Sequence, residues 1–469
     1  MSRSLRESLS RFRGFSRNAW LYLISNTIQA FSAGAIGVIY TLFLNSAGYG
    51  LPFIGVTLFV ATAGGAIAIL PASALTRRYG WRTMLLWSDF IGGVAIFVQL
   101  IAPFPAVTLL TSLGVGASVA IFLVLNSPFL AASSEPDQRN AIFALSNALG
   151  WLAAVTGALL GGLLPVWLAA LGAPGGPTDP LAPLAPALEA ARPLLLANPQ
   201  ARVYQVAMLL AGAVAVPSII PVFMLRDMPR PPAVEKAPGD VAPAAATPLR
   251  ARVRTWLLRA RPIATGVIGR FSFSQALVGL GAGLFFPFLN IYFVNQLHAT
   301  TAYYGALTSA VTASLALVSL VSAPLADRFG QIRLAIIMQV ASLPFMLLMG
   351  AAPVLAVVSV AYVLRTALIN IGSAPEQAWL MSVVPPERHV LASNVYNVSW
   401  QGAWAVGAAL GGGLIAIGGY GLPYYLAAAL YGLSALLMVR WLLPHRGQGS
   451  AAPSVPAEPL AESAESAGG

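Results

Sequence analysis

The sequence predicts an all-α membrane protein with twelve transmembrane helices in two pseudo-symmetric six-helix bundles. Three observations lead there. Of 469 residues, 58% are apolar and only 9% charged, whereas soluble domains carry about 25% charged residues. The apolar residues gather in runs of about 20 or more, long enough to cross a bilayer as helices. Helices satisfy every backbone group within the segment, and the alternating pattern of a membrane barrel is absent. Finally, landmarks recur at a constant offset of 250 residues: Leu75 with Leu325, Arg78 with Arg328, Gly80 with Gly330, Pro136 with Pro386, Asn147 with Asn397, and Gly157, Gly161 and Gly162 with Gly407, Gly411 and Gly412.

The elements follow in chain order. Residues 1–18 form a basic segment suited to an anionic inner leaflet. Span 1, near 19–45, is long and lacks a small-residue cleavage site, so it reads as a retained helix. Span 2 (51–75) ends in the charged turn ASALTRRYGWR, Ala72 to Arg82. Span 3 (83–103) carries Asp89 about two turns in, span 4 (105–133) carries Asn126, and span 5 (140–171) carries Gly150, Gly157, Gly161 and Gly162, a small-residue face for close helix packing. The segment 172–200 is the longest external loop, and its Leu/Ala-rich middle fits an interfacial helix. Span 6 (203–225) completes the first bundle, residues 19–225.

A linker at 226–261 is Pro/Ala-rich and then strongly basic (LRARVRTWLLRARP), flexible at first and then lying on the inner leaflet. The second bundle, 262–443, holds spans near 262–296, 301–326, 333–350, 353–384, 388–417 and 420–443. Its first charged turn, APLADRFGQIR from Ala323 to Arg333, stands 250 residues after the one ending span 2. Within span 10, Gly372 and Pro375 predict a break or kink. The tail 444–469 is small, polar and acidic, and is expected to be disordered.

Charge placement gives the topology. With residue 1 cytoplasmic and the spans alternating, 22 of the 26 basic residues fall on the cytoplasmic side. This is the positive-inside bias of a multi-pass inner (plasma) membrane protein with both termini cytoplasmic. The +11 net charge therefore reflects topology, and no nucleic-acid partner is expected. A single Lys236 among Arg, with abundant Ala, Gly and Pro, suggests a bacterial genome. The chain has no Cys and only His298, His389 and His445, so disulfides are excluded and neither a metal site nor a cofactor is expected. No GxSxG, HExxH or GxxxxGK[ST] sequence occurs, so an enzyme is not expected.

The stretch Leu325, Asp327, Arg328, Gly330 and Arg333 resembles the signature turn between the second and third helices of a half in the major facilitator superfamily (MFS). The combination of twelve spans, internal repeat and basic central linker is similar to that family over residues 19–443. The resemblance implies an MFS fold, a transporter, and a turn that latches the halves on the cytoplasmic side in one conformation. The gating set would be Arg78, Gly80, Arg82, Asp327, Arg328, Gly330 and Arg333. In the first half the family's Gly is Ser73 and its Asp is Arg77, which departs from the usual latch. The span 5 glycines resemble a drug-antiporter motif only loosely, without its Pro.

Ionisable groups inside a span cost several kcal/mol unless paired or hydrated, which makes each a functional candidate. Asp89, Arg270, Arg365 and Glu376 are the four. Arg270 and Glu376 lie about 12 Å from the cytoplasmic ends of spans 7 and 10, which border one cavity in the resembled fold, so pairing between them is expected. Eleven residues separate Arg365 from Glu376, putting both on one helix face about 16 Å apart. Glu376, Arg270 and Asp89 form the candidate proton-coupling set. Solute contact is expected from Asn26, Gln29, Tyr40, Asn126, Gln275, Asn290, Arg365, Asn370 and Gln377, with aromatic surface from Trp151, Trp400 and Trp404. Interhelical bonding is the other reading of these polar residues.

The expected function is secondary active transport of a small amphipathic or lipophilic organic solute by alternating access, as proton-coupled export, from a monomer. Two alternatives stand beside it: transport of an organic anion held by Arg365 and Arg270, by symport or facilitated diffusion, and a non-transporting membrane sensor on the same fold.

Overall fold

The computed structural model describes residues 15–135, 138–171, 196, 198–226 and 266–443. All but a few residues of the N-terminal segment, the 172–200 loop and the linker lie outside these residues, as do Pro136 and the tail beyond 443, and the readings made for them concern that undescribed part. Twelve apolar helices long enough to cross a membrane appear, and no strand occurs among the described residues.

The helices are α1 (Arg17–Ser46), α2 (Leu51–Tyr79), α3 (Trp81–Ile101), α4 (Pro105–Ala132), α5 (Arg139–Leu171), α6 (Pro199–Ala215, continued to Phe223 by a short 3-10 turn), α7 (Val267–Phe285), α8 (Thr301–Phe329), α9 (Gln331–Ala351), α10 (Leu355–Val383), α11 (His389–Gly418) and α12 (Gly421–Trp441). Their ends follow from local chemistry. Ser16 caps α1 through a bond from Ala19 N at 3.2 Å, and Thr300 caps α8 through Tyr303 N at 3.1 Å. Gly80 and Gly330 reverse the chain at φ 85° and 83°, each donating its N–H at 2.8 Å to the residue four back. Left-handed φ of this kind strains any residue with a Cβ.

Within the first bundle α1 packs on α5 and α6, and α2 and α3 pack on α4; in the second, α7 packs on α11 and α12, and α10 on α8 and α9. Two seams join the bundles, α2 with α11 and α5 with α8. The 250-residue repeat holds in three dimensions there. A Cβ on Gly162 would meet Thr301 O at 2.5 Å and one on Gly305 would meet Ala158 O at 2.6 Å. The same contacts recur one repeat on: a Cβ on Gly412 would meet Leu51 O at 2.0 Å, and one on Gly55 would meet Ala408 O at 2.2 Å. Gly157 and Gly161 likewise press on the α1 backbone at Phe31 and Ala35, whereas Gly150 has open space around it. The span 5 glycines beyond Gly150 are packing residues.

The cores divide unevenly. One apolar cluster at the Asn45 end draws on both bundles, including Phe43, Ile54, Phe288, Phe293 and Tyr424. At the opposite end, which carries Arg77, Arg78, Arg82, Arg328 and Arg333, two clusters stay separate. Phe129, Leu125 and Trp81 belong to the first bundle, and Phe271, Trp379 and Leu380 to the second. The bundles are joined at the Asn45 end and have independent cores at the arginine-bearing end.

One local expectation changes. Helix α10 runs unbroken from Leu355 to Val383 through Pro375. A proline cannot donate to the carbonyl four residues back, and here Ser322 Oγ of α8 donates to that Ile371 carbonyl at 2.7 Å, which satisfies the freed group and preserves the helix. The irregular span is the seventh. After Phe285 it passes through a 3-10 turn at Phe286–Phe288, which contains Pro287, and a π turn at Tyr292–Gln296.

Candidate functional site

The joined end is closed by polar groups as well as by glycine contacts. Thr41 Oγ1 donates to Asn290 Oδ1 at 2.6 Å, Asn290 Nδ2 donates to Val38 O at 3.1 Å, and Asn295 Nδ2 donates to Asn45 Oδ1 at 2.9 Å. All three bonds cross from α1 to the segment following α7. Asn45 and Asn295 stand 250 residues apart, so the pair sits on the pseudo-twofold relation. Asn290, expected at a solute surface, spends both ends of its amide on this clasp. Helical facing alone does not distinguish a cavity wall from the opposite bundle.

Beneath the clasp lies Arg365, on α10 about 15 Å from the helix start. It is 5% exposed. Its NH2 group donates to Tyr431 Oη at 2.6 Å, and its guanidinium carbon lies 5.1 Å from the Phe285 ring centre and 5.3 Å from that of Tyr431. Among the described residues no carboxylate pairs with it. Its Nε is buried and lacks a hydrogen-bond partner, as does the neighbouring Thr366 Oγ1. Two desolvated ring contacts contribute about 2 kcal/mol each, against several kcal/mol for burying the ion. The side chain is held in place, with no carboxylate partner among the described residues. Tyr431 was not among the expected site residues, because α12 was read only as an apolar span.

Glu376 is 8% exposed and accepts from Gln275 Nε2 at 2.9 Å. The expected pair with Arg270 does not form. Five residues separate Arg270 from Gln275, a turn of about 140° around the helix axis; with Gln275 facing Glu376, Arg270 points elsewhere and is half-buried. In the first bundle Gln29 Nε2 donates to Asp89 Oδ1 at 2.7 Å, while Asp89 Oδ2 is buried without a partner.

The remaining expected residues mostly bond between or along helices. Asn26 donates to Ser146 at 3.3 Å, Asn126 accepts from Tyr22 Oη at 2.8 Å, Tyr40 accepts from Gln99 at 3.0 Å, and Asn370 donates back to Thr366 O at 2.8 Å. Gln377 is exposed and reaches Tyr396. Trp151 is exposed, whereas Trp400 and Trp404 are half-buried.

At the two signature turns, Arg78 stacks on Tyr79 at 5.3 Å and Arg328 on Phe329 at 5.5 Å. Arg82 lies 6.0 Å from the Phe223 ring centre at the end of α6, its Nε buried and unpaired. Asp327 and Arg333 are exposed, and Asp327 forms no ion pair among the described residues. No group of His, Cys, Asp and Glu able to hold a metal ion occurs among those residues.

The fold is shared with known transporters. It resembles a nucleoside transporter, NupG, with a TM-score of 0.66, 10% identity and coverage of 92% of this chain and 100% of that one. A bacterial homologue of the human lysosomal transporter Spinster, inward-facing and unoccupied, gives 0.65, 13%, 90% and 97%. A D-xylose–proton symporter gives 0.60, 14%, 90% and 95%. No curated protein matches the sequence. The family model of the Major Facilitator Superfamily matches residues 22–274 and again 271–464. The chain is a multi-pass membrane protein and belongs to the major facilitator superfamily.

Proposed function

We propose that this protein is a proton-coupled secondary transporter of an amphipathic organic anion, with Arg365 as the solute anchor and Glu376 as the proton carrier. The observation that carries this reading is the buried Arg365 with an unpaired Nε and no carboxylate partner among the described residues. An acidic headgroup would supply the missing acceptor, and the rings of Phe285 and Tyr431 would flank its apolar body. This places the organic-anion alternative ahead of export of a lipophilic cation, which an uncompensated guanidinium would repel.

The asymmetry of the two ends supports alternating access. By the positive-inside bias, the arginine-bearing end is cytoplasmic, so the clasped Asn45 end faces outside and the end with separate cores faces in. Glu376 lies about 11 Å from that inner end, and among the described residues its only side-chain hydrogen bond comes from the neutral amide of Gln275. A carboxyl group so placed can take or give a proton without disturbing an ion pair. Tyr431, bonded to Arg365 and within electrostatic reach of Glu376, would link the two sites.

Reconstitution tests it. Purified protein in vesicles containing a pH-sensitive dye is given gradients of aromatic and aliphatic sulfonates and carboxylates, and of a lipophilic cation, against protein-free vesicles. The expected result is proton movement driven by an anion gradient, lost in Arg365→Gln and in Glu376→Gln. Proton movement driven only by the lipophilic cation, and intact in Arg365→Gln, would return the assignment to cation export.

A further inference from the structure

Beyond Glu376, a half-buried carboxylate, Asp89, has no role in the proposal above. Asp89 sits eight residues into α3, about 12 Å from the arginine-bearing end. Glu376 sits seven residues before the end of α10, about 11 Å from the same end. The two acids therefore share a depth while standing in different bundles.

Their surroundings match as well. Each accepts one hydrogen bond from a glutamine on the first helix of its own bundle, Gln29 on α1 for Asp89 and Gln275 on α7 for Glu376. The repeat reveals a swap. Asp89 corresponds to Gln339 and Glu376 to Asn126, so each bundle carries one acid and one amide at the two equivalent positions, in opposite order. The amides are tied to tyrosines: Asn126 accepts from Tyr22 Oη, and Gln339 donates to Tyr431 O at 2.8 Å. Asp89 differs in one respect: its second oxygen is buried and has no partner. A carboxylate oxygen in that position lacks the donor that an ionised group needs.

Among the described residues, no cation facing either acid pairs with it. For Asp89, α1 presents Tyr22, α4 has no titratable residue, and the charged or titratable residues of α2 and α6 (Arg77, Arg78, Tyr79, Arg202 and Tyr204) lie at helix ends, with Arg82 two turns away on α3 itself. For Glu376, α11 presents Tyr396 and α12 presents Tyr431, while Arg270 on α7 does not pair with it and the charged residues of α8 and α9 (Asp327, Arg328 and Arg333) lie at the inner turn.

We infer that Asp89, held by Gln29, is a second and independent proton-binding site, so that the transport cycle carries two protons, one in each bundle. The inference extends the proposed proton coupling through Glu376 but rests on a different side chain, and the two can fail separately. Protonation puts a hydrogen on Oδ2, where it turns a donorless acceptor into a donor, while Oδ1 keeps the bond from Gln29.

The test needs no solute. Infrared difference spectra of the purified, lipid-reconstituted full chain, recorded between acidic and alkaline buffer, report the carbonyl stretch of protonated carboxyl groups. Two bands are expected. Asp89→Asn removes one, Glu376→Gln removes the other, and the double variant removes both. Gln29→Ala keeps the Asp89 carboxyl but shifts its band and pH midpoint, a readout that a merely structural role would not give. If Asp89→Asn leaves both bands in place, the second site falls, whatever Glu376 does. If Glu376→Gln alone leaves the spectrum unchanged, the coupling assigned to Glu376 falls and the Asp89 site stands by itself. If Asp89→Asn does not fold, an unshifted spectrum in Gln29→Ala overturns the inference equally.

Discussion

Replacing Gly412 with Ala is expected to force open the clasped end. The added Cβ would lie 2.0 Å from Leu51 O and 2.4 Å from Leu51 C, both backbone atoms that no rotamer change can move. Restoring an ordinary contact near 3.4 Å requires the α2–α11 seam to part by the difference, 1.4 Å. The three bonds across the clasp, at 2.6, 3.1 and 2.9 Å, would then stretch to about 4.0–4.5 Å and cease to be hydrogen bonds. At about 1 kcal/mol each they sum to about 3 kcal/mol. By about 1.4 kcal/mol per tenfold, that shifts the ratio of closed to open conformers about 100-fold. The chain has no cysteine, so a single Val38→Cys, buried behind the clasp, is a clean probe. Reaction with a membrane-impermeant thiol reagent, applied from the Asn45 side, should accelerate about 100-fold when Gly412→Ala is added. An unchanged rate in a folded protein would refute the claim that this seam holds the end shut. Gly162→Ala, its partner in the repeat, should behave alike.

Other outcomes follow from single contacts. Gly330→Ala places a Cβ at φ 83°, costs about 1–2 kcal/mol, and should lower the melting temperature of the detergent-solubilised protein, as should Gly80→Ala at φ 85°. Ser322→Ala strips the Ile371 carbonyl of its donor at a cost of about 1–3 kcal/mol; the expected result is a bent α10, read as a changed spin-label distance between its two ends. Tyr431→Phe removes the bond to Arg365 but keeps the ring, and should weaken anion binding by about tenfold, the equivalent of about 1.4 kcal/mol, without a comparable loss of stability.

Span positions were legible because run length is a local property. Helix α1 was expected at 19–45 and found at Arg17–Ser46, and α11 at 388–417 and found at His389–Gly418. The repeat was equally legible, since matching landmarks require only counting, and its offset reappears in the Asn45–Asn295 bond. What escaped depended on partners distant in sequence. Pro375 looked like a break because Ser322, 53 residues earlier in the chain, is invisible to a local reading. Asn290 looked like a solute contact because facing says nothing about which bundle stands opposite. The Arg270–Glu376 pair was inferred from equal depth and a shared cavity, and the rotation between Arg270 and Gln275 decided otherwise. Arg365 and Glu376 themselves were found because an ionisable residue inside a membrane span stands out in any apolar run.

The central claim is that Arg365 awaits an anion, and binding at equilibrium tests it most directly. Melting of the purified protein is followed against a series of aryl and alkyl sulfonates and carboxylates, in the parent, Arg365→Lys and Arg365→Gln. A ligand that binds the native state raises its melting temperature by mass action. The expected result is stabilisation by at least one anion in the parent, weakened in Arg365→Lys because an ammonium lacks the planar fork, and abolished in Arg365→Gln. Stabilisation that survives in Arg365→Gln, or that appears only with lipophilic cations, would contradict an anion anchor at Arg365.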